Sequence, residues 1–310
     1  LNILFLGTSD FACPSLKALL NTAHTVMEVV TQPDRPKGRG QKLTPPPVKS
    51  LAFTRHLPIF QPEKLREPSA VDHLKSLIPD LIVVVAYGQI LSPAVLSIPP
   101  RGCVNVHGSI LPKYRGAAPI ARAIMMGEKT TGVTTMVMDA GMDTGPILIT
   151  AETEILPDDN LESLHDRLAQ MGARLLLKTL EGLEKGTISP QPQDHAQATY
   201  APKISKEEGR INWQSSAQTL SNLIRAFDPW PGAYTTWKGK TIKLFRPSII
   251  AGPSPETPGT VAEAARQGLK IATGDGYLLI REVQLENRPR MPVDQFLRGN
   301  PFEAGQQLGE

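Results

Sequence analysis

Short apolar runs bounded by Gly, Pro and Asp recur through the first half of the chain, at residues 3–6, 26–30, 81–86, 103–106 and 133–138. Each is mostly continuous rather than alternating, which suits a strand buried on both faces of a sheet. Between them lie stretches with helical spacing at 14–20, 47–56, 70–77 and 117–126. Two of these begin on a proline, whose fixed φ and missing N–H are tolerated in a first helical turn. Strands that alternate with helices pair in parallel, because a parallel pair needs a crossover long enough to return the chain. The expected fold is therefore α/β, with a Rossmann-like, mostly parallel sheet.

The pattern changes further along. Leu161, Leu164, Leu168, Met171, Leu175 and Leu183 recur at helical spacing behind the capping candidates Asp158, Asp159 and Asn160, predicting a long amphipathic helix that closes the first domain. Residues 186–201 are rich in Pro, Gln and polar side chains and carry neither period, as a connection does. Beyond it, strand-like runs at 233–237, 241–245, 259–261, 269–272 and 277–283 follow one helix at 216–227, predicting a small β-barrel or sandwich. The expected division is a first domain over 1–188, a linker over 189–206 and a second domain over 207–310. A length of 310 residues is right for two domains, and 40% hydrophobic residues with a net charge of +3 exclude a disordered chain.

Several function classes drop out on composition. The longest purely apolar run, 81–86, is far too short to cross a bilayer, and the N-terminus reads as a first strand rather than a signal peptide. Cys13 and Cys103 make neither a disulfide framework nor a zinc set, which fits a reduced, cytoplasmic setting. His24, His56, His73, His165 and His195 lack partners at ligand spacing, so no metal is expected. The turn Gly7-Thr8-Ser9-Asp10-Phe11 lacks the glycine pattern of a dinucleotide site. A monomer is the expectation, since no self-complementary apolar segment stands out.

Chemistry is concentrated in two places. In Cys103-Val104-Asn105-Val106-His107-Gly108-Ser109, period-two alternation turns Asn105 and His107 to one side of a strand. An amide can hold a carbonyl oxygen and an imidazole can exchange protons near neutrality, a pair suited to acyl transfer through a tetrahedral intermediate. Each residue alone is as readily structural. The run Asp139-Ala140-Gly141-Met142-Asp143-Thr144-Gly145 offers a third partner: with Asp143 beside His107, a carboxylate would orient the ring and favour its protonated form, leaving Asp139 to the turn. Separately, residues 33–49 carry Arg35, Lys37, Arg39, Lys42 and Lys49 against Asp34 alone, a segment that could meet polyphosphate or simply be solvated.

The run Asn105-Val106-His107-Gly108-Ser109-Ile110-Leu111-Pro112-Lys113-Tyr114-Arg115-Gly116, with residues 139–145, resembles the signature of the folate-dependent formyltransferases. Thr31-Gln32-Pro33-Asp34-Arg35-Pro36-Lys37-Gly38-Arg39-Gly40, Val84-Val85-Ala86-Tyr87-Gly88 and the run from Tyr200 to Glu208 extend the likeness, over nearly the whole chain, to the branch that acts on charged tRNA. Tyr114 and Gly108 depart from residues common in that family. The resemblance implies a Rossmann-like catalytic domain, a linker and a C-terminal OB-like β-barrel that binds tRNA. It implies formyl transfer from 10-formyltetrahydrofolate to the amino group of initiator methionyl-tRNA, in translation initiation. It further implies catalytic roles for Asn105, His107 and Asp143, folate contacts from Ser109, Ile110, Leu111 and Pro112, and tRNA contacts from Arg35, Lys37, Arg39 and Lys42, with Arg39 foremost.

Two other readings stay open on the residues alone. A small-molecule formyltransferase would use the same trio, although the basic segment and second domain have no obvious use there. A non-enzymatic RNA-binding module would have no need of Asn105, His107 and Asp143 together. Trp213, Trp230 and Trp237 could stack on bases, but core packing is the better expectation in a small β domain.

Overall fold

The apolar runs of the first half become strands of a seven-stranded sheet in a computed structural model of the chain, which describes residues 1–37 and 41–309. In order these elements are β1 (Asn2–Gly7), α1 (Cys13–Leu19), β2 (Thr25–Val30), β3 (Arg35–Lys37), β4 (Lys42–Thr44), α2 (Pro47–Thr54), β5 (Ile59–Phe60), α3 (Pro68–Ser76), β6 (Leu81–Val85), α4 (Pro93–Leu96), β7 (Cys103–His107), α5 (Pro119–Met125), β8 (Thr130–Val137), β9 (Ile147–Glu154) and α6 (Leu161–Lys185). The sheet runs β5-β2-β1-β6-β7-β8-β9, parallel from β5 through β7, with β8 antiparallel to β7. Every residue of β6 and β7 is buried, as their largely apolar sequences require.

Prolines begin several of the helices. Pro14, Pro47, Pro68 and Pro93 each occupy the first or second position of a helix, where no N–H is needed. The strand order reverses at β1, whose turn is tied to that of β6 by Thr8 Oγ1 donating to the Tyr87 carbonyl at 2.6 Å. Such a reversal is where open parallel sheets place ligands, at the carboxyl ends of the strands.

The chain divides into two compact units. The first comprises Leu1–Pro119, Thr130–Thr153 and His165–Ala201; the second comprises Ile120–Lys129, Glu154–Leu164 and Pro202–Glu310. The stretch from 189 to 201 therefore packs with the first unit: Arg115 and Tyr200 form a bridge, and Gln193 is buried.

In the second unit, α7 (Ala217–Ala226) is followed by β10 (Tyr234–Trp237), β11 (Lys240–Ile250), β12 (Val261–Ala265), β13 (Gly268–Ala272), β14 (Tyr277–Leu285), β15 (Met291–Pro292) and α8 (Val293–Leu297). The sheet is antiparallel, ordered β10-β11-β14-β13-β12, with β15 beside β14. Ser216 caps α7 by accepting from the Thr219 N–H at 3.1 Å, and Leu220 and Ile224 on that helix enter a core shared with Ile242, Leu244, Ile271 and Ile280. Trp213 and Trp237 belong to this core, as expected, with Trp237 stacked on Phe302 at 4.4 Å. Trp230 does not: it is 53% exposed.

Candidate active site

Residues 103–107 form β7 because Val104 and Val106 are β-branched and favour extended backbone between two neighbouring strands, and the pleat sets Asn105 and His107 together on the other face. Both are buried, at 8% and 6% exposure, so each polar group needs a partner. They find one in Asp143. The loop after β8 folds back along the face of β7, bringing Asp143 Oδ1 to 3.5 Å from Asn105 Nδ2 and Oδ2 to 3.6 Å from His107 Nδ1. Both are longer than a good hydrogen bond, leaving room to tighten when charge develops. The carboxylate is anchored by the Gly116 N–H, which donates to Oδ2 at 2.8 Å.

His107 Nε2 lies 3.0 Å from the Tyr114 carbonyl. A carbonyl only accepts, so Nε2 carries hydrogen there and Nδ1, toward Asp143, is left as the nitrogen that can exchange a proton. A carboxylate at that distance balances the positive charge of the ring once it is doubly protonated. The other carboxylate of the loop serves the turn itself, with Asp139 Oδ1 accepting from the Gly141 N–H at 3.0 Å and from the Thr144 hydroxyl at 2.6 Å.

The four residues expected to touch folate are divided by the structure. Ser109 is buried, its hydroxyl donating to the Lys113 carbonyl at 2.6 Å, and Leu111 is buried too; Ile110 and Pro112 remain partly open. Thr134 on β8 pins this loop, donating to the Ser109 carbonyl at 2.8 Å and accepting from the Leu111 N–H at 3.2 Å. At the carboxyl ends of β2 and β6, Thr31 Oγ1, Gln32 Nε2 and Tyr87 OH are buried without a hydrogen-bond partner among the described residues. Orphaned polar atoms at the carboxyl edge of a parallel sheet suit a polar heterocycle. Burial raises the Tyr87 phenol well above its usual value, keeping it a neutral donor. Cys103 is likewise pushed up to about 12 by burial, which makes it core filling rather than a nucleophile.

The basic segment is a hairpin rather than a plain loop, with Arg35 opposite Thr44 and Lys37 opposite Lys42. Arg35 pairs with Glu63 at 2.8 Å, Lys49 pairs with Asp34 at 2.8 Å, and Lys42 is exposed. Hydrogen bonds from Gln61 and Lys49 hold Asp34 below the usual carboxylate range. Arg39, between the two strands, lies outside the described residues. Two buried residues beside the trio, Arg115 and Gln193, escape sequence reasoning. Arg115 stands within the signature run with no role assigned to it, and Gln193 stands in a stretch that reads as a connection, where nothing in its neighbours signals burial. Among the described residues, no group of three His, Cys, Asp or Glu side chains could hold a metal ion, and no helix is long and apolar enough to cross a membrane.

A buried amide and imidazole with a partly buried carboxylate, converging at the face of a mostly parallel sheet, suit an acyl- or formyl-transfer class of site. Comparison with known proteins agrees: residues 1–180 match the formyl transferase family and residues 203–301 match the formyl transferase C-terminal domain. The methionyl-tRNA formyltransferase of Trichlorobacter lovleyi is 52% identical over 98% of this chain and 95% of its own length. That of Geobacter sulfurreducens is 49% identical over 100% of this chain and 97% of its own. The chain belongs to the formyl transferase family, in its methionyl-tRNA formyltransferase branch. Among solved structures, the sugar 3N-formyltransferase WlaRD shares the fold with a TM-score of 0.69 at 20% identity, covering 93% of this chain and 99% of that one. HypX from Aquifex aeolicus, solved with tetrahydrofolic acid, gives 0.64 at 20% identity, covering 100% of this chain and 50% of its own.

Proposed function

We propose that this chain transfers a formyl group from 10-formyltetrahydrofolate to the amino group of initiator methionyl-tRNA, in the cytoplasm, as a monomer, and so serves translation initiation. The observation that carries the reading is the meeting of Asn105, His107 and Asp143 in a chain that is about half identical, along its length, to methionyl-tRNA formyltransferases. Ile110 and Pro112 would line the folate site with backbone of the Ser109–Pro112 run, and the orphaned Tyr87, Thr31 and Gln32 polar atoms would meet its ring. When bound, this donor supplies an activated formyl carbon.

The chain's own residues do the rest. Asn105 donates its amide N–H to the formyl oxygen as that oxygen takes on negative charge. His107 takes the proton released as the methionyl nitrogen bonds to the formyl carbon, and a proton returns to folate N10 as the old C–N bond breaks. Asp143 balances the charge that His107 then carries. We assign this chemistry to residues 1–188, a linking role to 189–206 and tRNA binding to 207–310, with the hairpin segment carrying Arg35, Lys37, Arg39 and Lys42 meeting the acceptor end. The exposed Trp230 is a base-stacking surface on the second unit.

The direct test compares charged initiator tRNA, charged elongator tRNA and free methionine as acceptors with 10-formyltetrahydrofolate. Formylation of the charged initiator alone is expected; transfer to none of them would reject the reading in favour of a small-molecule acceptor. Arg39→Ala is expected to raise KM for charged tRNA about 10-fold at low salt while leaving folate binding unchanged, with the loss shrinking as salt screens phosphate contacts. An unchanged KM would remove Arg39 from the tRNA contacts.

A further inference from the structure

Asp143 is gripped at both ends. Its carboxylate accepts from the Gly116 N–H at 2.8 Å, and its backbone carbonyl accepts from Gln193 Nε2 at 2.9 Å. The same Gln193 nitrogen donates to the Gly145 carbonyl at 2.7 Å, so one side-chain amide spans the end of the loop. Its Oε1 faces Arg115, accepting from Nε at 3.1 Å and from Nη2 at 2.6 Å. The orientation of the amide is dictated by its partners: a guanidinium only donates and two carbonyls only accept. All its hydrogen-bonding directions are filled.

Arg115 is 2% exposed, and it also meets His195 Nδ1, 3.3 Å from both terminal nitrogens, which must accept for the same reason. A buried cation held by an amide and an imidazole polarises that amide, strengthening the two hydrogen bonds on its far side. Arg115 also precedes Gly116 in the chain, so the residue that holds Gln193 stands next to the N–H that holds the carboxylate. Asp143 needs this support, because its φ of +52° is a left-handed conformation that an aspartate adopts at some cost. With the loop unsupported, its carboxylate would leave the 3.6 Å separation from His107.

We propose that Gln193 is a positioning residue for formyl transfer, held by Arg115 and acting through the backbone of Asp143 to keep its carboxylate against His107. This deepens the proposed reaction and rests on it. A strap that merely stabilises the first unit would affect folding and all substrates alike; a positioning strap acts on turnover, and only through Asp143.

The test is Gln193→Glu, which keeps the side chain's volume and gives Arg115 a carboxylate while replacing the donor toward Asp143 and Gly145 with oxygen. Expected is a fall in kcat of about 10²-fold, the cost of misplacing a reacting group by about 1 Å, with KM for folate and tRNA changed by less than about 3-fold. In an Asp143→Ala background the same change is expected to lower kcat by no more than about 2-fold further, since the group it positions is gone. Hydrogen exchange of a peptide covering residues 139–146 is expected to quicken in Gln193→Glu. Gln193→Met repeats the comparison without a charge should the carboxylate unfold the unit. Wild-type kcat in a folded variant, full additivity with Asp143→Ala, or unchanged exchange would each overturn the proposal. Absence of formyl transfer by the wild-type chain would instead sink the reaction assigned to it, and the exchange measurement would still decide whether Gln193 holds the loop.

Discussion

Replacing His107 with alanine is expected to lower kcat for formyl transfer by about 10³-fold, the usual worth of a positioned acid–base group, while Kd for charged tRNA stays within about 2-fold. The ring is buried and bonded through Nε2 to the Tyr114 carbonyl, so only Nδ1, beside Asp143, is available for proton exchange. The ring is 6% exposed, so its loss removes no surface group that a tRNA could contact. Asp143→Asn separates charge from shape: an amide can still accept from the Gly116 N–H but cannot balance an imidazolium. Its kcat is expected to fall by about 10²-fold or more, again with tRNA binding retained. Single-turnover formylation and a tRNA filter-binding titration on the same preparations check both. Near-normal rates in both variants would reject the assignment of the trio.

Gly145→Ala is expected to be the most disruptive methyl group that can be added near the site. A Cβ there would stand 1.8 Å from the Val137 carbonyl oxygen and 3.0 Å from its carbon, with the Asp139 nitrogen at 3.3 Å. All three are backbone atoms at the end of β8 and the start of the loop that leaves it, so no rotamer change relieves the clash and the loop must open. We expect a loss of about 3 kcal/mol in stability, within the range of severe backbone and packing mutations, and a fall in kcat as Asp143 moves off His107. Gly299→Ala is the control: nothing lies within 4 Å of its Cβ, and stability should change by less than about 0.5 kcal/mol. Thermal melts read by circular dichroism decide the matter; equal melting temperatures for Gly145→Ala and wild type would show that the loop yields freely.

Local order explains which elements are legible in the sequence. The strands β1, β2, β6, β7 and β8 are legible because each is a largely continuous apolar run with breakers at its ends, a purely local signal. The pairing of Asn105 with His107 is legible because the strand period alone turns both to one face. β9 is not: its apolar run Ile147-Leu148-Ile149 is short and gives way to Thr150, Glu152 and Glu154 at a sheet edge where only Leu148 is buried. The hairpin Arg35–Lys37 with Lys42–Thr44 reads as a loop because its charged and proline residues have low strand propensity, and cross-strand pairing overrides propensity.

From residue order alone came the parallel α/β class, the change to β structure in the second half, the pairing of Asn105 with His107 and the likeness to a known family. The first three follow from periodicity and from residue types at short spacing, and the likeness from the motif runs themselves, all written along the chain. The tertiary structure alone decided that Asp143 folds back over β7 to meet residues about forty positions earlier, that Trp230 stays exposed while Trp213 and Trp237 are buried, and that Gln193, in a featureless polar stretch, is sealed inside beside Arg115. Such meetings depend on which distant backbone groups are left needing a partner once the sheet has formed, and a buried carbonyl recruits whichever donor the fold brings to it.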